Sequence, residues 1–356
     1  MILLDLHFKN IYGFDDFSMN FTYPRKLSQS LLGNESLPGR ERFRYKKAII
    51  LMGTNASGKT SLGKALLKIF GAINYANEAF LRDLYMGREP AEFQVDFVSQ
   101  GYILHRVSGI IDENDVSLRY ASSPIEENDS YEMAARKFSE IAADIKDIRK
   151  SVGDLHYRFA YPEIESSLKL ADIDRTELLK TLKAVIGTLD PTLSDVSIAK
   201  DLKDSYVIRR RGEEIIIQEG RLLNRDLLSS GTAEGIDVAV FLASMLSDTG
   251  CFYYCDEHFS YIESEIEKRI FGIMAERLKN NQQLIFTTHN TDMLNLNLPK
   301  HSFAFLQKEV IDGRYYVSVK YASEYLKRNT DSVKCAMEND MFGSLPDDSP
   351  LDALEV

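Results

Sequence analysis

Eight residues, Gly53-Thr54-Asn55-Ala56-Ser57-Gly58-Lys59-Thr60, constrain this chain more than any other stretch of it. They satisfy G-x-x-x-x-G-K-[ST], and they stand between the apolar run Ala48-Ile49-Ile50-Leu51 and a segment with Leu62, Ala65, Leu66, Ile69 and Phe70 at helical spacing. The pattern predicts strand, loop, helix. Gly53 and Gly58 let the backbone turn around a phosphate so that successive N–H groups and a helix N-terminus face it. Lys59 supplies a cation for the β and γ phosphates, and the Thr60 hydroxyl is suited to Mg²⁺. Gly53 to Ser61 is therefore the expected ATP cradle. Average residue frequencies give about one chance match in a hundred chains of this length, before the strand and helix on either side are counted.

A chain of 356 residues, 44% of them hydrophobic, can bury a large core in one domain or in one domain carrying an insertion. A formal net charge of −11 argues against a general polyanion binder and leaves nucleic acid as a partner only through a local basic face. Cys251, Cys255 and Cys335 lack ligand-like spacing with histidines and read as buried free thiols. The opening MILLDLHFKN meets Asp5 and Lys9 too soon for a signal h-region, and no apolar run approaches the ~20 residues needed to cross a bilayer. The expectation is a reduced, cytoplasmic protein with no membrane partner.

Leu3, Leu4, Leu6 and Phe8, a turn at Tyr12-Gly13-Phe14, then Phe17, Met19 and Phe21 predict an N-terminal hairpin. Ser28 to Arg44 reads as a loop. Period two returns from Glu92 to Val107 around a turn at Ser99-Gln100-Gly101. From Glu126 to Leu189 the character becomes charged and helical, with Phe138, Ile141, Ile145, Ile148 and Val152 three and four residues apart. A second helix is signalled by Asp174 with Glu177 three residues on, an apolar stripe from Leu178 to Ile186, and stops at Gly187 and Pro191. Tyr206-Val207-Ile208 and Ile215-Ile216-Ile217 flank a turn at Arg211-Gly212. The expected division is an N-terminal lobe over 1–125, a helical insertion over 126–200, a C-terminal lobe over 201–325 and a tail over 326–356. The fold class is α/β, a P-loop NTPase with a mixed sheet interrupted by that insertion.

Three further elements follow the P-loop. Cys251 to Cys255 is a short apolar strand delivering Asp256 and Glu257 at its C-terminal end, where α/β sheets place their chemistry. Asp256 is placed to hold the Mg²⁺ shell, and Glu257 to polarise an attacking water. A strand Leu284-Ile285-Phe286-Thr287-Thr288 ends at His289. Between them, Leu228-Ser229-Ser230-Gly231-Thr232 opens an apolar helix, which makes a second phosphate-facing surface or a plain helix cap.

P-loop, LSSGT, strand-DE and strand-TTH, in that order, resemble an ABC-type ATPase head of the SMC, RecF and OLD-like branch. Within it the chain is most similar to the AAA family ATPases of the RloA/AbiL group from anti-phage defence operons. The segments LDPTLSDVSI at 189–198, HNTDMLNLNLP at 289–299 and FGSLP at 342–346 add to the resemblance. It implies that Ser229, Ser230, Gly231 and Thr232 cap the nucleotide of a partner subunit in trans, that Glu257 is the catalytic base and that His289 is the switch histidine. The chain departs from the pattern in two places. No glutamine lies between Gln100 and Gln218, which leaves Gln94 and Gln100 as poor candidates for the Q-loop residue. Ile262 and Glu263 stand where relatives carry Leu and His.

The resemblance implies an ATP-hydrolysing homodimer or higher homo-oligomer that senses phage infection and controls a separate effector, a nuclease or toxin. The alternative is a RecF- or SMC-like ATPase acting on DNA. The only dense basic run, Arg209-Arg210-Arg211, reads as a solvated hairpin face rather than a DNA contact.

Overall fold

The computed structural model describes the chain outside residues 24, 26–30, 162–172, 194, 200–204, 211–212, 219–220, 248–250, 312–313, 329, 347–353 and 355–356. β1 (Ile2–Ile11) and β2 (Phe14–Asn20) form the expected N-terminal hairpin. The stretch read as a loop before the P-loop contains a small hairpin, β3 (Ser36–Leu37) with β4 (Arg40–Arg44), held by the buried Phe43. β5 (Ala48–Gly53) enters the P-loop, α1 (Lys59–Tyr75) leaves it, and the short α2 (Ala79–Arg82) follows. β6 (Ala91–Val98), β7 (Ile103–Ile111) and β8 (Val116–Pro124) make an antiparallel meander.

The stretch 126–200, expected as a helical insertion, is mixed in its described parts. It holds α3 (Tyr131–Ala135), β9 (Ile141–Ala142), α4 (Ile145–Val152), β10 (Tyr157–Ala160), α5 (Arg175–Leu189) and β11 (Asp195–Ile198). Period alone misled here. Ile141 sits in a two-residue strand on β8, and the apolar positions of α4 pack against the core that holds α1. β10 then joins the central sheet beside the strand that carries the acid pair. α5 starts as expected, with the Asp174 side chain accepting from the Thr176 and Glu177 N–H groups.

The remaining elements are β12 (Ser205–Arg210), β13 (Glu213–Gln218), β14 (Arg221–Leu222), α6 (Ser230–Leu246), β15 (Phe252–Asp256), α7 (Ser264–Arg277), β16 (Gln283–Thr287), β17 (Phe303–Ile311), β18 (Arg314–Tyr321), α8 (Ala322–Tyr325) and α9 (Val333–Glu338). β12 and β13 pair antiparallel as predicted, though their expected turn at Arg211-Gly212 lies outside the described residues. Within the expected tail, Val333, Ala336 and Met337 are buried and Phe342 stacks on Phe305 with centroids 4.0 Å apart.

Two large sheets result. The first runs β2-β1-β6-β7-β8-β9 and is antiparallel; the second runs β10-β15-β16-β5-β17-β18, parallel except for its β18 edge. Every residue of β5, β15 and β16 is buried, as strands covered on both faces must be. Alternate side chains go to opposite faces. Ile49 and Leu51 join α1 and the antiparallel sheet in one core, whereas Ala48, Ile50 and Met52 join α5, α6 and α7 in another. α1 is thus packed between the two sheets. Its Gly63 makes that possible, since a Cβ there would lie 2.6 Å from Tyr254 Cε1 and 2.8 Å from Tyr161 Oη. Cys251 and Cys255 are buried as expected, but Cys335 is exposed because its turn of α9 faces outward. Among the described residues no helix is long and apolar enough to cross a membrane.

Candidate functional site

The loop after β5 is shaped by close approach. A Cβ on Gly53 would lie 2.6 Å from Ser57 Oγ and 2.7 Å from the Leu306 carbonyl, and Gly58 holds φ +107, a region that side chains disfavour. Gly58 caps α1 with no side-chain hydrogen bond, and no acidic residue stands in the first turn. The positive end of the helix dipole therefore faces an uncapped loop, the condition for anion binding. Ser57 Oγ is buried there without a hydrogen-bond partner.

β15 and β5 are both hydrogen-bonded to β16, with Asp256 in register with Thr287 and Thr287 with Leu51. This alignment brings the acid pair level with the P-loop. Thr60 Oγ1 donates to Asp256 Oδ2 at 2.6 Å, and Thr287 Oγ1 donates to Asp256 Oδ1 at 2.8 Å. Burial pushes the Asp256 carboxyl upward, against those two hydrogen bonds. Lys59 Nζ donates to the carbonyls of Gly53 and Thr54 and lies 3.1 Å from Glu257 Oε1. His289 Nε2 reaches the same Oε1 at 3.0 Å. His289 and Lys59 hold the Glu257 carboxyl down at about 2, the hydrogen bond from His289 acting most strongly, so it is ionised at neutral pH. Glu257 itself sits at φ +46, its N–H directed at Thr287 Oγ1 at 2.9 Å. Strain at that position is held by the surrounding contacts.

No family model and no curated protein matches the sequence. Solved structures do. An SMC head bound to the C-winged helix domain of ScpA is 13% identical, with a TM-score of 0.57 over 92% of this chain and 100% of that one. An SMC head with an extended coiled coil, bound to the C-terminal domain of ScpA derived from Pyrococcus furiosus, is 12% identical, with a TM-score of 0.51 over 92% of this chain and 98% of that one. The fold is the ABC-type P-loop head.

In this head the structure gathers Gly53 to Ser61, Asp256, Glu257 and His289 at the carboxyl ends of adjacent strands. It does not bring Ser229 to Thr232 into that group. Ser229 caps α6, its Oγ accepting from the Thr232 N–H at 3.1 Å and lying 2.8 Å from Thr232 Oγ1. Gly231 sits against the chain after the acid pair, where a Cβ would come 2.6 Å from the Tyr261 carbonyl. Glu234 of α6 also grips that segment, accepting from the Ser260 and Tyr261 N–H groups. Tyr261 itself is 69% exposed.

Gln94 lies in β6 of the antiparallel sheet and Gln100 in the turn that connects β6 to β7, whereas the acid pair ends a strand of the other sheet. The chain position beside Asp256 belongs instead to the end of β10, where Tyr161 is buried with its hydroxyl unpartnered. Sequence reading missed β10 because four residues behind a helical pattern give too short a period-two signal. Of the basic run, Arg209 is paired with Asp195 and Glu214, and Arg210 donates to the Leu227 carbonyl; Arg211 lies outside the described residues. The two described arginines are engaged on a hairpin face.

Proposed function

We propose that this chain is an ATP-binding and ATP-hydrolysing subunit that works in pairs, each nucleotide site being completed by the α6 N-terminus of a second copy. The observation that carries the ATP reading is the convergence of Lys59, Thr60, Asp256, Glu257 and His289 through bonds of 2.6 to 3.1 Å. The loop N–H groups and the start of α1 would hold the β phosphate, with Lys59 on the β and γ phosphates.

Mg²⁺ fits the donor set. Thr60 Oγ1 and Asp256 Oδ2 are adjacent hard oxygens, and among the described residues no cluster of three His, Cys, Asp or Glu offers a self-sufficient metal cage. A metal held by one hydroxyl and one carboxylate takes its other ligands from phosphate and water, as Mg²⁺ does in phosphoryl-transfer sites. When bound, it would neutralise the charge developing on the phosphates.

Glu257 is the proposed general base and His289 the group that orients it. Lys59 is shared between Glu257 and two loop carbonyls. An arriving phosphate competes for that ammonium, and its departure frees Glu257 to take a proton from water. Pairing is supported by the placement of Ser229 to Thr232. Among the described residues the side-chain hydrogen bonds of Ser229 and Thr232 are made to each other, at the exposed start of α6.

For the biological setting we favour a sensor or regulator of an anti-phage defence complex acting on a separate effector, on the strength of the motif resemblance. The likeness to SMC heads supports a second reading, an ATPase of DNA maintenance. Titration calorimetry with Mg-ATP tests the core of the proposal. Wild type is expected to bind and Lys59→Ala not to; equal affinity of the two would refute the P-loop assignment. An adjacent nuclease or toxin gene would support the first setting and adjacent replication genes the second.

A further inference from the structure

Glu267 lies outside the machinery described so far. It stands on α7 and is buried, and both of its oxygens are taken by neutral donors. Thr288 Oγ1 donates to Oε1 at 2.6 Å, and Asn290 Nδ2 donates to Oε2 at 2.7 Å. Those two residues bracket His289, the side chain that reaches Glu257. The turn is cross-braced as well. The Asn290 N–H donates to Thr288 Oγ1 at 3.0 Å, and Asn290 Nδ2 also reaches the Ser264 carbonyl at 3.2 Å. Burial pushes the Glu267 carboxyl upward, so a buried acid is kept here against a free-energy cost. A Gln or Ser would satisfy one donor. Only a forked acceptor takes both at once, one on each side of the histidine.

We propose that Glu267 is a positioning residue that clamps the Thr288–Asn290 turn and so presents the His289 ring to Glu257. The inference rests on the ATPase reading for its catalytic consequence, though the clamp itself is made of contacts within the chain. If Glu267 were only a staple between α7 and β16, its loss would lower stability and leave the histidine's contribution to turnover unchanged.

The test uses the full chain with Glu267→Ala, Glu267→Gln, Thr288→Val, His289→Ala and the double variant Glu267→Ala/His289→Ala. In the nucleotide-free protein the His289 ring resonances, assigned by their loss in His289→Ala, are expected to shift in Glu267→Ala and Thr288→Val. In turnover, Glu267→Ala is expected to lose about 10- to 100-fold in kcat, the range for residues that orient a functional group, with KM within about threefold. Glu267→Gln, which can accept from only one of the two donors, is expected to recover only part of that. The double variant should be no slower than His289→Ala alone. Unshifted ring resonances, or losses from Glu267→Ala and His289→Ala that simply add, would overturn the clamp. A wild type without turnover would instead refute the ATPase reading, and the ring resonances would still decide the clamp. Should Glu267→Ala fail to fold, Thr288→Val cuts the same contact from the other side and answers the same question.

Discussion

Replacing Glu257 by Gln removes one negative charge from the centre of the site and leaves its shape. A carboxyl held at about 2 against an ordinary 4.5 gains about 3 kcal/mol from its surroundings. The side chain is 30% exposed, and solvent screening reduces the usable part to about 1–2 kcal/mol. Glu257→Gln without nucleotide is therefore expected to melt a few degrees lower, about 2–5 °C. The pH dependence gives the sign. The folded value lies below the unfolded one, so this stabilisation is complete above pH 4.5 and is lost as pH falls towards 2. Over that window the variant should lose stability less steeply than wild type. With Mg-ATP the order reverses, because the variant binds and does not turn over; saturation at a hundred times Kd adds about 2.7 kcal/mol. Phosphate release should fall about 100- to 10,000-fold, the span of a lost general base, and light scattering should show a dimer or larger assembly. A Glu257→Gln protein that hydrolyses ATP within about threefold of wild type would refute the role of Glu257 as base.

Two other perturbations probe separate parts of the arrangement. Ser229→Arg should stop hydrolysis while sparing ATP binding by the single chain; mixed with Lys59→Ala it should regain about a quarter of wild-type sites, since half of random pairs are mixed and each carries one intact site. No recovery in phosphate release would place the complete site within one chain. Gly63→Ala should cost about 1–3 kcal/mol by overpacking, because its Cβ would meet Tyr254 Cε1 at 2.6 Å. Tyr254 Oη donates to the Lys59 carbonyl at 2.5 Å, so ATP affinity should fall along with the melting temperature; unchanged affinity would show that the tyrosine does not set the loop.

Local chemistry in the sequence determined the P-loop, the strand before it and the helix after it, because glycine pairs, apolar runs and 3.6-residue spacing act over a dozen residues at most. The same holds for the N-terminal hairpin, the Asp174 cap and the strands ending at Asp256 and Thr287. It failed where the deciding neighbours are distant in the chain. Ile141 and Ile145 keep helical spacing, yet Ile141 is a strand residue because β8 offers its edge there. β10 is a strand because β15, almost a hundred residues later, supplies its hydrogen bonds. The site divides in the same way. Lys59, Thr60, Asp256, Glu257 and His289 were legible as residue types. That Thr60 bonds to Asp256, and that Lys59 and His289 share one oxygen of Glu257, was settled only when β16 aligned the ends of β15 and β5. Glu267 carried no signal in the sequence, since an acidic residue in the first turns of a helix is ordinary. Its two bonds across to Thr288 and Asn290 come from packing α7 onto the parallel sheet, where a buried carboxylate must find donors or not be there.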